Sequence, residues 1–190
     1  FSHRFALTIS VLAGLILAQP GIAAESYEVD VLVPGSPMKG VHGLAFDNEG
    51  ILHAVSITGM STYRIDVETG SVETIIGPPL GVGDDLAFGP DGSLAWTARD
   101  AVHVRSPDGD ISVLVDGIDG VNSINYGPDG RLFYTLIFRA DALYEGYPGS
   151  SREPRLIAEG MGGLNGFEVT DDGKIIGPLF FGNAIASIDI

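Results

Sequence analysis

The sequence predicts an all-β chain made of β-propeller blades. Three observations carry that prediction: a unit of about forty residues that recurs four times, four short strand patterns within each unit, and hairpin-turn chemistry between them in place of helical periodicity.

The repeated unit opens with "VHGLAFDNEGILHAV" from Val41, "GDDLAFGPDGSLAWT" from Gly83, "VNSINYGPDGRLFYT" from Val121 and "LNGFEVTDDGKIIGP" from Leu164. Aligned on the turn glycines Gly50, Gly92, Gly130 and Gly173, the units are 42, 38 and 43 residues apart. Such a period belongs either to propeller blades or to helical arrays, and the interior of the unit decides between them.

Ahead of the first unit, "YEVDVLV" (Tyr27 to Val33) reads as a strand, of the kind that completes the last blade of a closed ring. Each unit then has a first strand leading into its turn glycine and a second alternating run such as "SLAWTA" or "RLFYTL". A third follows, "TYRIDV", "AVHVRS" or "ALYEGY", and then a fourth, "VETIIG", "ISVLVDG" or "PRLIAEG". Asn-Glu-Gly, Pro-Asp-Gly, Glu-Thr-Gly and Pro-Gly-Ser separate the runs and favour tight turns. No window after the N-terminal apolar run shows capped apolar residues at helical spacing. Pro178 in "GPLFFGN" predicts a bulge or distorted edge in the second strand of unit four, and Ile190 falls after that unit's third strand. The chain therefore reads as four blades that either close on themselves through Tyr27 to Val33 or form part of a larger ring; we expect the larger ring.

Eight residues before each turn glycine stand His42, Asp84, Asn122 and Asn165. The first strand of a blade lines the central channel, so equivalent positions converge near the axis although 123 residues separate the outermost pair. Ordinary turns would accept Gly or Ser there equally well, and four coordinating side chains in register favour a shared site. Asn and Asp oxygens suit Ca²⁺ or Mg²⁺, whereas His suits Zn²⁺ or Mn²⁺.

"GLNGFEVTDDGKIIG" resembles the Asn-Gly strand-start motif of the SMP-30/gluconolactonase/LRE-like family, six-bladed propellers that hold a divalent cation in the central channel and hydrolyse lactones or related esters. Paraoxonases and strictosidine synthase-like proteins are similar more distantly, and NHL repeats share the Pro-Asp-Gly turn. The resemblance implies a fragment of a six-bladed ring with a bound divalent metal ion, Ca²⁺ foremost and Zn²⁺ or Mn²⁺ as alternatives. It implies that Asn165 is the fourth-blade metal ligand and Asn122 the third-blade contact to metal or substrate. In the first blade, His42 stands where the family has a glutamate, which removes a hard oxygen and a negative charge; Asp84 and its neighbour Asp85 would restore the charge. The family's fifth-blade aspartate, a metal ligand and proton acceptor, would lie beyond Ile190, so no catalytic residue is assigned.

Other residues point to packing. His53 and His103 lie within strand patterns, and Trp96 and Tyr134 sit on second strands as inter-blade filling. The sequence has no His-Glu-x-x-His, no nucleophile elbow and no phosphate loop.

Phe5 to Ala18, behind Arg4 and followed by "GIAAE", reads as a secretory signal within residues 1–24, leaving a propeller domain over 25–190 that is secreted or periplasmic. The chain's net charge is −15, and loss of Arg4 with the signal makes it −16. That balance disfavours nucleic acid and anionic membranes and leaves a small molecule such as a lactone as the expected partner. With no cysteine, stability must come from packing. The competing expectation is a non-catalytic, NHL-like propeller that binds a ligand or protein.

Overall fold

A computed structural model describes residues 28–34 and 38–190. The apolar run read as a signal lies outside them, and no helix among the described residues is long and apolar enough to cross a membrane.

Fifteen strands follow in chain order. The first sheet contains β1 (Val41–Phe46), β2 (Leu52–Ser56), β3 (Ser61–Ile65) and β4 (Val72–Ile76). The second contains β5 (Asp85–Phe88), β6 (Leu94–Thr97), β7 (Val102–Arg105) and β8 (Ile111–Val115). The third is built from β9 (Val121–Tyr126), β10 (Leu132–Leu136), β11 (Ala142–Gly146) and β12 (Arg155–Glu159). The fourth has three strands, β13 (Glu168–Val169), β14 (Lys174–Leu179) and β15 (Ala184–Asp189). Every sheet is an antiparallel meander in sequence order, and together they form part of a β-propeller.

Turn chemistry sets this register. The same closure appears four times: Gly50 N donates to Asp47 O, Gly92 N to Gly89 O, Gly130 N to Gly127 O and Gly173 N to Thr170 O, at 2.9–3.1 Å. Each of those glycines has φ between +79° and +87°, the left-handed region that a Cβ penalises. Side-chain oxygens fix the turn further, as where Asp47 accepts from Glu49 N and Ile51 N.

The core consists of layers between adjacent blades. Val55, Leu86 and Trp96 fill the first, Ile124, Leu132 and Tyr134 the second, and Phe133, Leu164 and Ile175 the third. Trp96 and Tyr134 are fully buried, Trp96 stacked on His103 and Tyr134 on Tyr144, as the packing role requires. His53 is buried too, its Nε2 2.9 Å from Asp47 Oδ2.

Two local expectations are corrected. Glu28 to Val33 form no strand, and the fourth sheet takes no strand from that segment. Pro178 distorts nothing: it pairs with Ile185 in a register that runs unbroken from Lys174 to Leu179. It is the first strand of this blade that departs from the repeat, reduced to two residues because the chain from Gly162 to Gly166 takes another path.

Candidate functional site

The inner strands stand side by side, and the four polar residues meet there. His42 Nδ1 lies 3.1 Å from Asp84 O and 3.2 Å from Asp84 Oδ1. Asn122 Nδ2 donates to Asp84 Oδ2 at 2.6 Å, across 38 residues of sequence. The chain of contacts continues through Ser123, whose Oγ is 3.1 Å from Asn122 Oδ1 and 3.3 Å from Asn165 Oδ1 and accepts Gly166 N at 2.7 Å. His42, Asp84, Asn122 and Asn165 thus form one polar seam across four blades, with Ser123 joining the last two.

Local backbone structure makes this closeness possible. A Cβ on Gly43 would lie 2.7 Å from Asp85 Cα, so the approach of β1 to β5 requires the glycine that follows His42. Thr97, at the end of β6, accepts Asp85 N at 3.0 Å and donates to Asn122 O, which ties the second blade to the third. Thr135 likewise accepts Ser123 N at 3.1 Å, within the third blade.

The approach to Asn165 is held from the neighbouring blade. Gly162 N and Gly163 N donate to the two carboxylate oxygens of Asp141 at 2.7 and 2.8 Å. Phe181 N and Phe180 N donate in turn to Gly162 O and Gly163 O at 2.8 and 2.7 Å. Gly163 has φ +79°, and a Cβ there would come within 2.8 Å of the Phe181 ring. Glycine is needed on both counts.

The carboxylates of the seam are not equivalent. Burial raises the Asp84 pKa, and the His42 charge and the Asn122 hydrogen bond offset it only in part. Burial raises Asp85 as well; its oxygens accept Ile124 N at 3.1 Å and Leu86 N at 2.9 Å, so this carboxylate is committed to the backbone of the third blade as well as adding charge.

Two spaces adjoin the seam. A groove of about 650 Å³ runs along the inner strands with Asp85, Asn125, Asn165 and Glu168 among its lining, and Leu44 and Phe46 on its apolar side. A smaller pocket of about 280 Å³ has Asp84 and Asn122 in its wall with Ile57, Val82, Val121 and Phe138.

As a cation site the donor set fits in kind. Two amide oxygens and a carboxylate are hard donors, and an imidazole adjoins them. Among the described residues no three His, Cys, Asp or Glu side chains gather as ligands, so the amides would have to supply the coordination and water the remainder. Ser123, Thr97 and Asp141 were not legible as site residues, since the partners of each are brought near only by the fold.

The comparisons agree on architecture. A chain of a nidogen/laminin complex matches with TM-score 0.72 and 24% identity over 80% of this chain and 62% of its own. A virginiamycin B lyase from Staphylococcus aureus matches with TM-score 0.60 and 18% identity over 82% and 57%. A gluconolactonase from Xanthomonas campestris matches with TM-score 0.63 and 15% identity over 78% and 58%. The chain is similar in fold to all three and spans 57–62% of their lengths. No protein-family model matches the sequence, and no curated protein matches it.

Proposed function

We propose that this chain is part of an exported, divalent-cation-dependent hydrolase that opens a lactone or related small ester at the channel of the propeller. One observation carries the reading: His42, Asp84, Asn122 and Asn165, eight residues ahead of four equivalent turns, lie in one connected seam at or just before the starts of the inner strands, with Ser123 linking Asn165 to the rest. The resemblance of the Asn165 segment to gluconolactonases, and the fold shared with one, support the same reading.

Asn165, Asn122, Asp84 and His42 would hold the cation. When bound, it supplies Lewis-acid polarisation of a carbonyl and of water. Asn122 Nδ2 is oriented by Asp84, and the single Ser123 hydroxyl proton serves one or the other of the two nearby amide oxygens. Thr97 and Asp85 keep the second and third blades in register behind them. The substrate would enter through the pocket beside Asp84 and Asn122.

A second reading has its own support. The polar groups of the seam already satisfy one another, as a structural girdle in a non-catalytic binding propeller would. Thermal melts with Ca²⁺, Mn²⁺ or Zn²⁺ separate the two. A cation at about 100 times its Kd should stabilise the folded protein by about 2.7 kcal/mol, and Asp84→Asn should abolish most of that gain. No shift with any of the three ions supports the girdle. If Asp84→Asn leaves ion affinity unchanged, Asp84 is not a ligand. A lactone panel assayed with and without chelator then tests hydrolysis, and product analysis separates hydrolysis from a lyase reaction.

A further inference from the structure

Phe138, Phe180 and Phe181 are large apolar side chains left 68%, 59% and 56% exposed, and they form one cluster. Phe180 and Phe181 meet edge to face with centroids 5.0 Å apart, and Phe138 completes the triangle at 5.8 Å from Phe181 and 6.3 Å from Phe180. They sit in the β10–β11 and β14–β15 loops, at the end of the blades where the inner strands begin.

The cluster is held in place at a conformational cost. Phe138 has φ +68°, and Arg139 N donates to Ile137 O at 2.8 Å, which closes a γ-turn of the rare positive-φ form around a bulky residue. The ring gains little burial in return. Strain of this kind persists where the surroundings hold it for use, and here Ile137 is fully buried and its N donates to Gly120 O at 2.8 Å. The backbone of Phe180 and Phe181 is fixed by the glycine clamp that Asp141 anchors, and Phe181 lies against the bare backbone of Gly163.

Phe138 also lines the 280 Å³ pocket that contains Asp84 and Asn122. One ring thus belongs both to an exposed aromatic platform and to a pocket whose polar wall is the seam. The volume suits one ring-sized group, edge-to-face rings favour an aromatic partner, and the Asp84 carboxylate disfavours an anion.

We propose that this platform binds an aromatic ring on a neutral carbonyl ligand, so that an aryl-substituted lactone is the preferred class of substrate. The ester half rests on the hydrolase reading; the aromatic half stands without it.

Phe138→Gly tests the assignment, because it removes the ring and relieves the positive φ together. Binding of dihydrocoumarin, of its lactam analogue 3,4-dihydro-2-quinolinone and of δ-valerolactone is measured by ligand-observed NMR titration on the full chain and the variant, beside thermal melts. We expect both aryl compounds to bind more tightly than δ-valerolactone and to weaken about tenfold in Phe138→Gly and in Phe180→Ala, with the Tm of Phe138→Gly unchanged or raised. Aryl binding unaffected by both substitutions overturns the proposal. So does a fall of more than roughly 5 °C in the Tm of Phe138→Gly, which would make the ring a packing element. Lactam binding that depends on Phe138, with no lactone hydrolysed by the complete protein of which this chain is part, keeps the platform and removes the hydrolase reading. Hydrolysis of δ-valerolactone and dihydrocoumarin alike, untouched by Phe138→Gly, does the reverse.

Discussion

Ser123 shows what a single residue does in this fold. Its hydroxyl receives Gly166 N from the next blade and lies against the amide oxygens of Asn122 and Asn165. Ser123→Ala strands that N–H, and chemical denaturation should register a loss of about 1–3 kcal/mol. His42 contrasts with it: the side chain is largely exposed, and His42→Ala should cost no more than about 1 kcal/mol in the same assay. The four seam residues could be read from the sequence because a polar side chain recurs at one offset in every unit. Ser123 could not, because Gly43, Asp85 and Gly166 occupy the corresponding positions and no repeat marks it. At Phe138 the sequence shows a plain aromatic; the γ-turn of about 1–3 kcal/mol arises only in context.

Strands and turns were the most legible level, because alternation and left-handed turn glycines are local properties. The repeat also carries a signal that becomes clear once pairing is known: Ser56 and Thr97 end their second strands, Thr135 is one residue short of the end of its own, and all three are fully buried. Thr97→Val keeps the shape but leaves Asp85 N and Asn122 O without their hydroxyl partner. Its expected cost is about 1–3 kcal/mol by denaturant titration, several times that of a Thr→Val change at exposed Thr69. The fourth blade has Pro178 and Leu179 at that point: Asn165 N donates to Pro178 O at 3.1 Å as Asp84 N does to Thr97 O at 2.7 Å, while the next N–H, that of Gly166, donates to Ser123 Oγ in place of a hydroxyl of its own blade. The segment Glu28 to Val33 misled because its alternation is genuine, yet strand formation also needs an available edge, which alternation does not report.

At the scale of the molecule, burial couples protonation to stability. Burial lowers the His103 pKa, an effect that the Asp116 and Asp100 charges only partly oppose. The unfolded chain therefore takes up this proton first, near pH 6.5. The contribution is complete above that value, is lost as the pH falls below it, and levels off beneath the folded pKa. His103→Phe keeps a ring beside Trp96, so melts from pH 7.5 to 5.5 should show a shallower decline in the variant than in the wild type. The repeating four-stranded blade was legible from period and pattern, whereas most of the particular contacts between blades were not, since they join residues about forty positions apart and many run through backbone atoms. Asp141 makes this concrete. The carboxylate that steadies the path to Asn165 comes from the preceding blade, so grafting the fourth blade into another ring would transplant the asparagine without its support. Inheritance and engineering alike would have to move two consecutive blades together to carry the site across.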